Sequence, residues 1–133
     1  MNFDQLFELA WEVRQNAYAP YSNFRVGAAL LTKDGKVFTG CNVENLSFGL
    51  TICAERAAVT AAIAAGYAEF VSIAIVSESV SPVSPCGACR QVLSEFVPAN
   101  EDMEVRSANP AGDIFESTLN ALLPRARAGI LGT

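Results

Sequence analysis

A chain of 133 residues, 51% hydrophobic and only 17% charged, has the length of one domain and is too apolar to stay disordered. Its net charge of -5 at pH 7 has the wrong sign for holding a phosphate backbone, which excludes polymeric nucleic acid as an expected partner. With no histidine in the sequence there can be no Ser/His/Asp triad, Cys/His pair or histidine-ligated metal, and cysteines and carboxylates are left as candidate ligands.

The first 17 residues, MNFDQLFELAWEVRQNA, place Phe3, Leu6, Phe7, Ala10, Val13 and Ala17 at the spacing of an amphipathic helix. They carry no basic leader, and no apolar run approaches the ~20 residues that span a bilayer. A cytoplasmic protein with no membrane partner is therefore expected. After the turn-rich YAPYSNF, residues 25–32 and 37–42 read as strands joined by a Lys-Asp-Gly-Lys hairpin. Alanine-rich residues 51–65, closed by Gly66, predict a helix, and the apolar run 71–77 predicts a central strand. Ser84 as N-cap and Pro85 at the first helical position predict a further helix that ends before Pro98. Residues 103–108 and 113–118 read as an antiparallel strand pair, because the loop 109–112 is too short for a parallel crossover, and a short helix over 119–123 follows. The order α, β, β, α, β, α, β, β, α predicts a single domain, residues 1–133, with a mixed sheet and helices on both faces.

In a reducing compartment the four cysteines, Cys41, Cys53, Cys86 and Cys89, point to metal or catalysis rather than to disulfides. Cys53 opens one predicted helix within Thr-Ile-Cys-Ala-Glu-Arg, and Cys86 and Cys89 open another within Pro-Cys-Gly-Ala-Cys-Arg. Spaced three apart, Cys86 and Cys89 share a helix face, and Cys53 joins them if the two helix starts converge. Helix N-termini favour the thiolates that zinc requires. Any one of these cysteines alone would read as a reduced core residue. A closed four-cysteine structural site that uses Cys41 is the lesser alternative, since Cys41 lies 12 residues before Cys53 instead of forming a close pair with it; as the last apolar residue of a predicted strand, Cys41 reads as a buried spectator. Three protein ligands leave zinc one open position, and Glu55, two residues after Cys53, is placed to shuttle protons there. Cys-x-Glu followed by Pro-Cys-x-x-Cys is the three-cysteine signature of zinc-dependent nucleobase deaminases. A non-catalytic zinc-stabilised module is the alternative from a different functional class.

Taken with YSNFRVGAAL and GCNVEN, the segments TICAER and SPCGACRQVL closely resemble the small homotetrameric cytidine deaminases, over roughly residues 18–124. The resemblance implies a three-layer α/β/α fold with a five-stranded mixed sheet. It also implies one Zn2+ per subunit held by Cys53, Cys86 and Cys89, with Glu55 as the catalytic acid/base. Asn42 and Glu44 fall where the family binds the ribose 3'-hydroxyl region, Phe24 where it packs against the nucleoside, and the Ala54 amide where it meets the base carbonyl. The implied reaction is deamination of cytidine and 2'-deoxycytidine at C4, part of pyrimidine salvage, by a homotetramer acting on a small pyrimidine nucleoside. An aminonucleoside-antibiotic deaminase is the nearest rival enzyme, and the Asn-Val-Glu-Asn segment argues against it. Because thiolate ligands make the site negative, Arg56 is expected to offset that charge by hydrogen-bonding a ligand sulfur. Two positions depart from the family pattern: Arg127 stands where a phenylalanine usually reaches a neighbouring subunit's site, and Phe48 where tyrosine is common.

Overall fold

The computed structural model describes residues 1–128. Helix α1 (Phe3–Arg14) starts at Asn2, whose side chain accepts the Gln5 N–H while the Gln5 side chain accepts that of Asn2. This reciprocal capping box satisfies two otherwise orphaned donors. The helix is one turn shorter than its apolar spacing predicts, and Ala17 is buried in the turn beyond it.

Strands β1 (Val26–Thr32) and β2 (Val37–Cys41) form the expected hairpin, with Gly35 at φ 84° taking the left-handed turn position. Helix α2 (Ala54–Ala64) leads to β3 (Phe70–Ser77), and α3 (Gly87–Ser94) crosses over to β4 (Glu104–Ala108). The last hairpin strand, β5 (Ile114–Thr118), runs directly into the short α4 (Leu119–Leu122). The sheet order is β2-β1-β3-β4-β5, with β3 and β4 parallel and the other neighbours antiparallel.

Alternation along the strands divides the core into two layers. Ala28, Leu30, Ile73, Ile75 and Val105 face Ala58, Val59 and Ala62 of α2 and Leu93 of α3. Ala29, Ala74, Val76 and Ala108 face Leu6, Phe7 and Ala10 of α1. Ile73 and Ile75 are fully buried, each worth roughly 1.5–3 kcal/mol relative to exposure. Gly40 brings α2 close to the sheet: a Cβ there would lie 2.4 Å from the Ala58 nitrogen and 2.5 Å from the Ala54 oxygen. That contact sets the depth of the helix start that carries Cys53 and Glu55.

Both helices that carry the cysteines begin later than expected. Cys53 is the N-cap of α2, so the helix starts at Ala54 rather than at Thr51. At α3 the N-cap is Cys86, with extended backbone at φ -65° and ψ 165°, and neither Ser84 nor Pro85 takes its predicted helical role. Ser84 Oγ and the Pro85 carbonyl are instead both bound by the Arg90 side chain.

Candidate active site

Packing of α2 against α3 brings their N-termini together at one end of the sheet's α2/α3 layer. The sulfur atoms of Cys53, Cys86 and Cys89 lie within 4.8 Å of one another, with Cys86 and Cys89 sulfurs 3.5 Å apart. Cys89 is buried in the first turn of α3, Cys53 is half-buried, and Cys86 is exposed. Cys41, at the end of β2, is outside this cluster, and burial pushes its thiol up. The convergence expected from the sequence is therefore present, with two of the three thiols at N-cap positions rather than inside the first turns.

Glu55, the second residue of α2, is 6% exposed. Burial raises its carboxyl above the ordinary value, assisted by the negative charge of Cys53. Ala54 is fully buried as the first residue of the helix, where a backbone N–H has no partner within the helix. Arg56 extends Nη2 to Cys53 Sγ at 3.4 Å and to the Thr51 carbonyl at 3.4 Å, so the expected hydrogen bond to a cysteine sulfur is present. Within the cluster, a hydrogen bond from the Cys89 thiol, followed by the Arg56 hydrogen bond and charge, holds the Cys53 thiol down to about 5 from an ordinary 9.0. Cys89 shifts the other way, because it supplies that proton and is buried.

The residues expected to contact a nucleoside lie on the loops flanking β1 and β2, where a Val43–Ile52 bridge joins the segment after Asn42 to the one before Cys53. Asn42 is 7% exposed, its Nδ2 donates to the Phe24 carbonyl at 2.8 Å and its Oδ1 accepts from the Val26 amide at 2.9 Å. Both bonds fix the entry to β1 and the backbone of Phe24, a residue 37% exposed. Glu44 Oε1 accepts the backbone N–H groups of Tyr21 at 3.0 Å and Ser22 at 3.2 Å, and its other oxygen accepts the Ser22 hydroxyl. The Ser22 hydroxyl, more than any other group, holds the Glu44 carboxyl below the ordinary carboxylate range. Ser22 itself was not singled out by the sequence, in which it is one polar residue of a turn-rich loop. Arg127 pairs with Glu95 at 3.4 Å on its own chain, and Phe48 meets Tyr21 edge-on at 6.1 Å between ring centres.

Residues 1–101 match the family described as the cytidine and deoxycytidylate deaminase zinc-binding region. The chain belongs to this deaminase family. A cytidine deaminase of Halalkalibacterium halodurans is 51% identical over 95% of this chain and 94% of its own length. One from Sporosarcina psychrophila is 47% identical over 95% and 91%. The crystal structure of the Burkholderia pseudomallei cytidine deaminase superposes with a TM-score of 0.87 at 52% identity, covering 94% of this chain and 98% of that one. That likeness covers the whole five-stranded α/β architecture. A blasticidin-S deaminase of Bacillus cereus is more distant, at 30% identity over 90% of this chain and 88% of its own length.

The donor set fits the family's zinc. Tetrahedral zinc with sulfur ligands at ~2.3 Å places those sulfurs about 3.8 Å from one another, and the three thiols already lie within 4.8 Å. All three cysteines are free, the Cys53 thiol is shifted down toward its thiolate form, and a guanidinium stands against its sulfur. A soft, preassembled thiolate site of this kind selects zinc over hard cations such as magnesium.

Proposed function

We propose that the protein is a zinc-dependent hydrolase that converts cytidine and 2'-deoxycytidine to uridine and 2'-deoxyuridine with release of ammonia. The observation that carries the reading is the buried carboxyl of Glu55 beside three converging thiols. Cys53, Cys86 and Cys89 hold one zinc per chain, and when bound the metal supplies the Lewis acidity that makes a water nucleophilic near neutral pH. Glu55, with its carboxyl raised by burial, accepts a proton from the attacking water and delivers one to ring N3 as the C4–O bond forms. The hydroxyl now on C4 gives up its remaining proton, which Glu55 passes to the amino nitrogen, so that C4=O forms as the C4–N bond breaks and ammonia leaves. A carboxyl with an ordinary, low value would accept a proton less readily in the first step.

The other residues orient the substrate. The Ala54 amide meets the base carbonyl, and Phe24 packs against the base. Asn42 and Glu44 hold the ribose: each has bonding capacity left beyond the loop contacts described above, one N–H on the Asn42 amide and lone pairs on the Glu44 carboxylate. Arg56 lowers the electrostatic penalty of gathering three thiolates. The chain is one deaminase domain, and homotetramer assembly is supported by the exposed apolar side chains of Tyr21, Leu46, Phe48 and Leu50 on the loops flanking the site. Among the described residues no helix is long and apolar enough to cross a membrane, which accords with a cytoplasmic role in nucleoside salvage.

The test is the loss of cytosine absorbance on mixing the protein with cytidine or 2'-deoxycytidine, beside a Glu55→Gln variant and a zinc assay of both. The expected result is turnover by the parent, a drop of about 10²–10⁴-fold or more in kcat for Glu55→Gln, and about one zinc per chain in each. Zinc without turnover of either nucleoside would overturn the reading in favour of a structural zinc module. Turnover confined to an aminonucleoside antibiotic would make it the rival deaminase.

A further inference from the structure

Cys86 is the exposed member of the thiol cluster and the one presented by irregular chain. Residues 81–86, between the end of β3 and α3, form neither helix nor strand, and Cys86 caps α3 without a side-chain capping bond of its own. The guanidinium of Arg90, one turn into the helix, reaches back over this stretch. Its Nε donates to the Pro85 carbonyl at 2.7 Å, Nη2 to Ser84 Oγ at 2.8 Å, and Nη1 to the Leu122 carbonyl at 2.9 Å. The Arg90 backbone N–H closes the first helical bond to the Cys86 carbonyl at 3.0 Å. None of these three side-chain bonds goes to a sulfur, in contrast to the Arg56 bond to Cys53.

We propose that Arg90 is a positioning residue for the metal site, holding the Cys86 thiol in place by clamping the coil before α3 to the end of α4. The inference rests on the reading of Cys86 as a zinc ligand. The Pro85 carbonyl and the nitrogen and Cα of Cys86 belong to one rigid peptide plane, so fixing that oxygen fixes the base from which the thiol projects. A guanidinium presents its donors in a planar fork of set geometry, and three charge-assisted bonds to separate acceptors leave the coil little freedom. The third bond satisfies a last-turn carbonyl of α4, which has no partner within its own helix. It thereby ties the placement of Cys86 to the docking of the C-terminal segment, which Gln91 and Glu95 also hold through the Ala126 carbonyl and Arg127. Metal sites depend on such supporting contacts, and losing one typically weakens metal affinity by about 10–100-fold.

The experiment compares zinc-loaded parent, Arg90→Met, Arg90→Lys and Cys86→Ala proteins by competition with a coloured chelator, and their cobalt-substituted forms by the sulfur-to-cobalt charge-transfer band. Methionine keeps the apolar stem and removes all three donors, whereas lysine keeps the charge and one donor group without the fork. The expected result for Arg90→Met is an affinity loss of about 10–100-fold and a weaker, shifted charge-transfer band at unchanged helix content. Arg90→Lys falls between it and the parent. Parent-like affinity and spectrum in Arg90→Met overturn the proposal, and if that variant does not fold, parent-like values in Arg90→Lys overturn it. Parent-like behaviour of Cys86→Ala would instead overturn the assignment of Cys86 as a ligand, a failure distinct from that of Arg90.

Discussion

Glu55 and Glu44 show how two carboxylates acquire opposite acidities from their surroundings, in line with the different roles proposed for them. Burial raises Glu55, which suits it to carry a proton, while the Ser22 hydroxyl and the Ser22 and Tyr21 amides lower Glu44, which keeps it an acceptor. A carboxyl lowered from its ordinary 4.5 stabilises its loop fully above that value and loses the contribution as pH falls through the lower value of the folded state. Hydrogen exchange should therefore show the Tyr21 and Ser22 amides losing protection below pH 4.5 in the parent, once intrinsic exchange is allowed for, and already at neutral pH in Glu44→Ala. Protection at neutral pH that survives Glu44→Ala would show that the loop does not depend on this carboxylate. Asn42 binds backbone on both sides of its amide, so Asn42→Ala leaves the Val26 N–H and Phe24 carbonyl without that partner. The expected loss is about 1–3 kcal/mol in chemical denaturation, with a rise in KM larger than the change in kcat. At this scale the thiols and Glu55 were legible, because their chemistry is written in short local spacings. The bonds of Asn42 to Phe24 and of Glu44 to Ser22 join residues 18 and 22 positions apart, and nothing in turn-residue chemistry selects those pairs.

The elements were legible where periodicity and turn chemistry agreed. Asp34-Gly35 closes its hairpin, Gly66 ends its helix at φ 96°, and both hairpins pair antiparallel. The starts of α2 and α3 were misplaced because cysteine is not among the usual N-caps and its capping side chain makes no bond to the helix. Ser84 and Pro85 carry the ordinary start signals, but their polar groups are committed to Arg90, a contact that requires the tertiary fold. Gly40 was likewise read only as part of a strand, although it decides how closely α2 approaches. Since an added methyl would meet the helix backbone at Ala54 and Ala58, no side-chain rearrangement can relieve it, and α2 must shift. Gly40→Ala is therefore expected to lose about 1–3 kcal/mol of stability and to weaken zinc retention as well, because Cys53 moves with the helix. Unchanged zinc affinity in a destabilised Gly40→Ala protein would show that the cluster tolerates displacement of α2.

For the molecule as a whole, the family resemblance implied a homotetramer without saying where its interfaces lie. The fold places Leu46 at 78%, Phe48 at 74% and Leu50 at 66% exposure on the loop between β2 and α2, next to the exposed Tyr21. Apolar groups this open on a chain with only 17% charge are poorly suited to water and well suited to a second copy. Arg127 behaves differently, since it forms an ion pair with Glu95 of the same chain in which both side chains are about half exposed. A pair so open to solvent contributes little, about 0–1 kcal/mol. Charge placed within the apolar loop acts on assembly instead: Phe48→Asp would carry an ionised group into any interface formed there, where desolvation opposes association. Sedimentation should then show the parent at four times the 14.1 kDa chain mass and Phe48→Asp in smaller species. Since Cys53, Cys86, Cys89 and Glu55 all come from one chain, the smaller species should keep its zinc. Assembly of Phe48→Asp identical to the parent would place the interface elsewhere, whereas smaller species that have lost zinc would mean that neighbouring copies hold the two helix starts together.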